Sequence, residues 1–519
     1  MDSTNVVLAL DSGSQSSRAI LFDAEGKVLG VGRATHAPMR HPMEGAVEQD
    51  ALDIRDCVFA AARECLRAWG GDPARIKGAA LTTQRSTVLM ADADGRPLAD
   101  AISWLDRRTA NVDSEPSPLL RAALKAMGKD ALVPRLLSKS WPRLWRERVP
   151  ETLAKAAKIA PIEAWLHHAL TGRVALAPGG VAGPWPFDVK KRAWTNSALM
   201  FKLLGFERRW LPEIVEAGKE IGRLTADAAK RTGLPAGLPF FACGGDKQAE
   251  ALGAGVRVGR GEIAAVSLGT GSSIGVPWPK APTSGRYHWL TMASAEPGSW
   301  TLEYLVFRGM WTARWFAREL GGELLPAAEA AGKPVEALLC DEAAKVPAGA
   351  EGLVVWPRWS PTLQQPLETG TCVGLRETHT RGHFFRALLE GIGFDLRRGR
   401  GILEKVTGVA FREARVGGGG ARADVVVQIL ADVLDLPIVR PHSEELAARG
   451  AAIVAAAGAG LHPSVEAAVG AMVPDAPVVR PDPARAALYD RIYRKVFVPG
   501  LELLGRVSGD LAAAVRPRG

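Results

Sequence analysis

The chain has 519 residues, of which 47% are hydrophobic and 23% are charged, a balance that suits two or three globular domains with a large core. The formal net charge is +9, but the basic residues are scattered among acidic ones, which disfavours a nucleic-acid partner and leaves a surface suited to anionic ligands. The five cysteines include no CxxC pair, which disfavours disulfides or a zinc site and favours a reducing compartment.

The N-terminal residues predict no signal peptide. Met1–Asn5 contain no basic region, and Asp11 interrupts the apolar run that starts at Val6. The longest run of small apolar residues, Gly450–Leu461, is too short and too rich in glycine and alanine to span a bilayer. We therefore expect a cytoplasmic protein with no membrane partner.

The first half of the chain is predicted to contain six strands and one long helix. Helical periodicity extends from Asp50 to Trp69, and Asp50 or Asp53 is the expected cap. A stretch rich in Pro, Lys and Trp, Asp113–Pro150, is expected to be helical and irregular. Short apolar runs predict the strands at Val6–Leu10, Arg18–Asp23, Lys27–Arg33, Gly78–Leu81, Val88–Ala91 and Ala101–Trp104.

A second series of strands and helices begins near Gly261. We expect Pro499 to end or kink the last predicted helix. The alternation indicates an α/β protein. Its predicted strands are Glu262–Ser267 and Ile274–Val276, and its predicted helices are Gly382–Leu403, Ala421–Leu434 and Ala484–Val498.

Two turns of similar composition lie about half a chain apart. Asp11–Ser16 reads DSGSQS and Ser267–Ser272 reads SLGTGS, and each turn follows an apolar strand. Glycine lets the backbone approach a ligand closely, and turns of this kind bind phosphate oxygens. Their placement indicates a duplicated domain, and two such turns across a cleft would hold the phosphates of a nucleotide.

Two carboxylates stand beside these turns. Asp11 would hold Mg²⁺ through water, and the alternative is an aspartate that initiates a turn by bonding its own backbone. Asp246 follows Gly244 and Gly245 where a strand is predicted to meet a helix. It would accept the proton of an attacking alcohol in phosphoryl transfer, and the alternative is a helix N-cap, a role compatible with the first.

A glycine run and a polar cluster are the remaining candidate ligand-binding segments. Gly417–Gly420 lacks the spacing of dinucleotide folds and P-loops, so it is interpreted either as an adenine slot or as a tight strand-to-helix turn. A second group combines donors, acceptors and one tryptophan, which suits a polyhydroxylated ligand, although a surface ion-pair cluster is the alternative. Its members are Thr83, Gln84, Arg85, Ser86, Trp104, Asp106, Arg107 and Arg108.

These motifs, in this order, resemble the FGGY family of carbohydrate kinases, which belongs to the actin and hexokinase superfamily. The resemblance implies an α/β fold of two ribonuclease-H-like domains, 1–255 for the sugar and 256–519 for ATP, with an interdomain cleft that closes on the substrates. It also implies ATP and Mg²⁺ as cofactors and, since family members are often dimers, a homodimer. The segments that carry it are Leu8–Phe22, Thr82–Thr109, Cys243–Gly255, Ser267–Ser273, Gly374–Leu375 with His383–Gly391, Gly417–Pro441 and Glu444–Ala452.

The resemblance also implies a role for individual residues. Asp246 aligns with the catalytic base and Asp11 with the Mg²⁺-associated carboxylate. Independently of the resemblance, Lys247 adds a hydrogen-bond donor beside the base, and we expect it to contact a carbonyl or hydroxyl of the acceptor. The phosphate-binding positions are Ser14, Ser16, Gly269 and Thr270, the adenosine-site positions are Gly418, Gly419 and Ala421, and the positions that contact the sugar are Gln84, Arg85, Trp104 and Asp106.

The departures from the family pattern cluster on the substrate side. Ser86 replaces the glutamate with which glycerol kinases bind glycerol, and Lys247 stands where an uncharged Asn or Gln usually follows the base. The segments Ala175–Asp188 and Arg358–Pro366 also diverge. We expect D-xylulose as the acceptor, with glycerol, D-ribulose or another polyol as alternatives. A non-catalytic regulator that responds to sugar and ATP is the alternative of a different class.

Overall fold

The computed structural model describes residues 5–112, 132–282, 289–359, 369–441 and 445–515. Some sequence-based predictions fall outside these ranges. They concern residues 1–4 at the N-terminus, residues 113–131 of the stretch rich in Pro, Lys and Trp, residues 360–366 of the divergent segment, and Glu444.

A six-stranded mixed sheet forms the centre of the N-terminal half. Its first strand, Val6–Ser12, pairs antiparallel with Ser16–Asp23 and parallel with Ile76–Thr83. All seven residues of that strand are buried, as expected for a strand covered on both faces. Across the sheet the strands are Glu220–Arg223, Pro239–Gly245, Ile76–Thr83, Val6–Ser12, Ser16–Asp23 and Val28–Thr35.

Different helices cover the two faces of this sheet. Leu8 packs in one hydrophobic cluster with the helix Ala51–Trp69, which begins at the predicted cap, since the Asp50 carboxylate accepts hydrogen bonds from the backbone N–H groups of Leu52 and Asp53 at 2.8 and 3.3 Å. Ala9 packs on the opposite face with buried residues of the helices Leu446–Gly458 and Val465–Met472. A segment from the predicted second domain therefore covers the first sheet.

A seven-stranded sheet forms the C-terminal half. Its strand Ile263–Leu268 pairs antiparallel with Ser272–Trp278 and parallel with Glu413–Gly417. This pairing repeats that of the first strand of the chain, so the two similar turns occupy equivalent places in the two sheets. The helices Arg381–Thr407 and Asp424–Leu434 pack in the same hydrophobic cluster as this sheet. The order of the strands across the sheet is Leu290–Ala293, Trp300–Val306, Ser272–Trp278, Ile263–Leu268, Glu413–Gly417, Ile438–Val439 and Val478–Val479.

Two helices cross closely where the halves meet. A Cβ on Gly253 would overlap the carbonyl oxygen of Leu446, and a Cβ on Gly450 would overlap that of Ala249. Glycine at both positions lets the backbones of Asp246–Gly253 and Leu446–Gly458 approach, because no side chain separates them. This crossing fixes the helix that carries Asp246 between the two sheets.

The C-terminal segment differs from its prediction. The helix Pro483–Ile492 is followed by a π-helical turn, Tyr493–Phe497, and by the helix Val498–Ala514. Pro499 does not end the helical segment: it lies in the first turn of the last helix, directly after the π-helical turn. The indole of Trp356 donates to the Phe497 carbonyl at 3.0 Å.

The remaining strands and helices lie outside the two central sheets. In the parts of the chain that the structure describes, no helix has the length and apolar character that crossing a membrane requires. The short strands are Glu48–Gln49, Val88–Ala91, Ala101–Ile102, Lys158–Pro161, Ala175–Leu176, Phe187–Asp188, Ala193–Trp194, Glu213–Ile214, Val354–Trp356 and Thr371–Val373, and the further helices are Leu132–Ser138, Trp141–Arg148, Pro150–Lys155, Ile162–Thr171, Ala198–Leu204, Ala226–Thr232, Gly309–Leu320, Leu325–Ala331 and Val335–Lys345.

Candidate active site

The first turn is held in place by side chains of the same half. The Gly13 backbone N–H donates to the Ser16 carbonyl at 3.0 Å and closes the turn. The Ser14 hydroxyl donates to the Gln84 side-chain carbonyl at 2.8 Å and accepts from the Trp104 indole at 2.9 Å. The structure therefore brings together a predicted phosphate contact and two predicted sugar contacts in one hydrogen-bonded group.

Asp11 lies opposite Arg18, its cross-strand partner. Arg18 Nη1 is 3.1 Å from an Asp11 carboxylate oxygen and 3.4 Å from one of Glu445. Burial raises the pKa of Asp11 to about 7; Arg18 opposes this effect, and the charges of Asp246 and Glu445 add to it. The sequence-based reasoning missed Arg18, although the hairpin register of the two predicted strands places it beside Asp11.

Asp246 lies where the strand Pro239–Gly245 meets the helix Asp246–Gly253, and two glycines precede it. Gly244 has φ of +109°, a conformation that favours glycine, and a Cβ on Gly245 would lie 2.6 Å from Cγ of Arg85. Gly245 has the extended backbone of a cap and Asp246 is the first helical residue, so the N-cap alternative for Asp246 is wrong. Its carboxylate accepts the Lys247 backbone N–H at 2.8 Å.

Arg85 links Asp246 to the second sheet. Its Nε is 3.7 Å from Oδ1 of Asp246, and its Nη1 is 2.9 Å from Oε2 of Glu303 in the strand Trp300–Val306. Burial alone would raise the pKa of the Glu303 carboxyl, but Arg85, with smaller effects of Lys247 and Ser273, outweighs burial and the pKa is lowered. Glu303 was not among the predicted site residues, because its partner is 218 positions away in sequence.

Lys247 extends towards the second turn. Its Nζ contacts the Ser267 hydroxyl and is 3.4 Å from Oε2 of Glu250. The Ser267 hydroxyl in turn donates to the same Glu250 oxygen at 2.7 Å. A Cβ on Gly269 would lie 3.3 Å from Lys247 Nζ, so the ammonium group packs against the turn.

The second turn is braced by the start of a helix. The backbone N–H groups of Met310 and Trp311 donate to the carbonyls of Gly269 and Thr270 at 3.3 and 3.2 Å. These bonds leave the N–H groups of the turn itself available to a ligand, which is the arrangement that phosphate oxygens require.

The glycine run lies against this turn. Gly418 has φ of +84°, and a Cβ there would lie 2.8 Å from the Leu268 carbonyl carbon, so the close approach is made by another backbone, as the tight-turn interpretation states. Gly419 faces open space within 4 Å, which leaves room for a flat ligand. The backbone N–H of Ala421 donates to the Gly418 carbonyl at 3.1 Å.

The Asp106 carboxylate is already hydrogen-bonded to other groups of the protein. Its carboxylate accepts hydrogen bonds from the Arg108 guanidinium and the Val47 backbone N–H, each at 2.9 Å, and its side chain is 5% exposed. Arg108 also bonds Glu48 at 2.6 Å. For Asp106 and Arg108 the geometry favours the ion-pair cluster over direct contact with a sugar.

A small cavity of about 20 Å³ lies between the Asp246 helix and the second sheet. Its walls carry two carboxylates and two cationic groups, so the charge inside is nearly balanced before a ligand enters. The charged and hydroxyl side chains that line it are Lys247, Glu250, Ser267, Ser273, Thr301, Glu303 and Arg415.

The residues around Asp11 fit a hard cation. Burial is the largest cause of the raised pKa of Asp11, and a cation bound beside the carboxylate would favour its ionised form. Mg²⁺ is usually bound by one or two carboxylates together with water and substrate phosphates, so a single carboxylate beside a turn that is predicted to bind phosphate suits it.

Two family models match the chain. The N-terminal domain of the FGGY family of carbohydrate kinases matches residues 6–253, and its C-terminal domain matches residues 264–459. A solved xylulose kinase from Rhodospirillum rubrum is 26% identical, with a TM-score of 0.76 over 96% of this chain and 99% of that one. The two family models thus define a carbohydrate kinase with an N-terminal and a C-terminal domain, an ATP-dependent phosphotransferase. The chain belongs to the FGGY family.

Curated relatives differ in their named substrates. A glycerol kinase from Dechloromonas aromatica is 31% identical, over 88% of this chain and 90% of the relative. An uncharacterized sugar kinase, YgcE, from Escherichia coli is 28% identical over 95% of this chain and 93% of the relative. A xylulose kinase from Lactococcus lactis is also 28% identical, over 94% and 95%. These similarities support a sugar kinase and leave its acceptor to be determined.

Proposed function

We propose that this kinase transfers the γ-phosphoryl group of ATP to a hydroxyl of a small sugar or polyol, with Asp246 as the general base. The observation that carries the proposal is the position of Asp246 at the start of the helix between the two turns. Its side chain is 35% exposed, against 6% for Asp11. Asp246 is therefore the more accessible of the two carboxylates to an incoming alcohol, whose proton it would accept.

The other residues would position the two substrates. The Arg85 guanidinium, held by Glu303, lies 3.7 Å from the Asp246 carboxylate and would orient it. The donor phosphates would bind at Ser14, Ser16, Gly269 and Thr270, and the adenosine at Gly418, Gly419 and Ala421. Mg²⁺ near Asp11 would neutralise phosphate charge when bound. Closure of the cleft would exclude water from the transfer.

We propose a five-carbon ketose, D-xylulose first, as the acceptor. Ser86 supplies no carboxylate to bind a short triol, and its φ of 61° places it in a strained left-handed turn beside Arg85. Trp104 offers an apolar wall, while its indole N–H and the Gln84 side chain are fixed by Ser14. Glycerol, D-ribulose and other polyols are the competing acceptors, and a water in place of the missing carboxylate would restore glycerol binding.

A coupled assay for ADP release across a panel of sugars and polyols tests the proposal. We expect turnover, with kcat/KM higher for D-xylulose or D-ribulose than for glycerol. A glycerol value at or above both ketoses would reject the ketose assignment. Nucleotide and sugar binding without turnover on any acceptor would favour the regulator instead. A cytoplasmic location and a homodimer stay predictions, which fractionation and light scattering would check.

A further inference from the structure

The Lys247 side chain points in a direction that the sequence did not predict. It follows the proposed base in sequence, yet its ammonium group lies at the second turn, where a Cβ on Gly269 would be 3.3 Å from Nζ. A lysine beside the base was expected to contact the acceptor sugar. The side chain instead runs along the first turn of its helix towards the strand Ile263–Leu268.

The contacts of Lys247 leave one hydrogen-bond donor of its ammonium group without a partner among the described residues. An ammonium group has three donors, and those of Lys247 have two partners among the described residues, the Ser267 hydroxyl and Oε2 of Glu250. The separation from Glu250 is 3.4 Å, longer than the 2.7–2.9 Å typical of a charge-assisted hydrogen bond. Ser267 takes the shorter bond to that carboxylate, at 2.7 Å. The ammonium is therefore oriented by Ser267 and Glu250, and its third donor remains for a ligand.

Other charges around Lys247 are already paired. Glu303 is engaged by Arg85 at 2.9 Å, and Arg415 is engaged by Glu413 at 2.9 Å. Lys247 is thus the cation of this cavity with the weakest carboxylate contact. Its side chain is 19% exposed, so the desolvation that strengthens a charge interaction is largely in place before a ligand arrives.

We propose that Lys247 binds the phosphate oxygens of the donor nucleotide at the second turn, with Glu250 and Ser267 as the residues that position its ammonium group. This inference rests on the proposed function and adds to it a cationic contact from the chain itself. A fixed positive charge beside the phosphates stabilises the charge that spreads over the transferring group. Lys247 then acts on the donor and not on the acceptor, contrary to the sequence-based expectation.

The test compares ligands that differ only in their phosphates. Lys247→Met removes the charge and keeps most of the side chain, and Lys247→Arg keeps the charge. Calorimetry would measure the Kd of adenosine, of ADP and of a non-hydrolysable ATP analogue. We expect Lys247→Met to weaken ADP or the analogue about 10- to 100-fold, as for the loss of a charged hydrogen bond, with adenosine unchanged. Lys247→Arg should recover most of that loss.

Two results would overturn the inference. One is unchanged affinity for both phosphorylated ligands in Lys247→Met, above all with a raised KM for the acceptor. The other is an equal loss for adenosine, which would mean general damage to the nucleotide site. Because the ligands need no acceptor, the outcome does not depend on which sugar is phosphorylated. A wild-type protein that binds these nucleotides but phosphorylates nothing would defeat the proposed function and leave the Lys247 contact testable.

Discussion

The buried carboxyl group of Glu163 makes a quantitative prediction about stability. Glu163 lies in the helix Ile162–Thr171 and is 1% exposed. One of its oxygens accepts the Ala177 backbone N–H at 3.1 Å, and the other has no hydrogen-bond partner among the described residues. Burial raises the pKa of this carboxyl to about 8, against a weaker opposing effect of the Ala177 hydrogen bond. The folded protein thus holds Glu163 neutral at pH 7.

The free-energy consequence follows from the two pKa values. A carboxyl that titrates at 4.5 when unfolded and near 8 when folded favours the folded state at low pH, and this advantage is lost as pH rises from about 4.5 to about 8. At about 1.4 kcal/mol for each tenfold change, the complete loss is roughly 5 kcal/mol. Glu163→Gln keeps the shape without the titration, so the variant should gain stability relative to wild type across that interval.

Urea unfolding of both proteins at pH 5, 7 and 9 measures the difference directly. We expect Glu163→Gln and wild type to be within about 1 kcal/mol of each other at pH 5, and the variant to be more stable by several kcal/mol at pH 9. Burial lowers the pKa of His167, on the same helix, to about 4, and because both proteins contain it, its effect cancels in the comparison.

The exposed Glu329 supplies the control. Glu329→Gln makes the same chemical change at a surface position, so its stability curve is the matched comparison for the buried position. Parallel stability curves for wild type and Glu163→Gln between pH 5 and 9 would refute the argument, since they would mean that Glu163 titrates alike in the folded and unfolded states.

Two substitutions test the candidate active site. Asp246→Asn should lower kcat by about 100- to 10,000-fold. The Kd of ADP, measured by calorimetry, should stay close to wild type, because the amide oxygen can still accept the Lys247 N–H. Turnover near the wild-type rate would show that Asp246 is not the base. Gly419→Val should weaken ATP binding more than sugar binding, because the new side chain would fill the open space beside Gly419. Unchanged ATP affinity with weakened sugar affinity, in the same titrations, would reverse the assigned domain roles.

The sequence predicted much of the fold because the signals involved are local. Continuous apolar runs identified the two central strands, and Asp50 was expected to cap the first helix, as it does. Pro499 was expected to end or kink the helix; it does not end the helical segment, and the irregularity beside it is a π-helical turn that directly precedes the helix Val498–Ala514. The effect of a proline depends on the register of the helix around it, and composition does not reveal that register.

The same contrast holds for the candidate site, whose motifs the sequence located and whose contacts only the tertiary structure decided. Asp11, Asp246 and the two turns were recognisable because each depends on a few adjacent residues. The Arg85–Glu303 pair and the cover that Leu446–Gly458 gives to the first sheet depend on residues hundreds of positions apart. The direction of Lys247 depends on which strand lies opposite its helix. Such contacts form only when two sheets approach, because hydrogen bonds and ion pairs act over a few ångströms, whatever the separation in sequence.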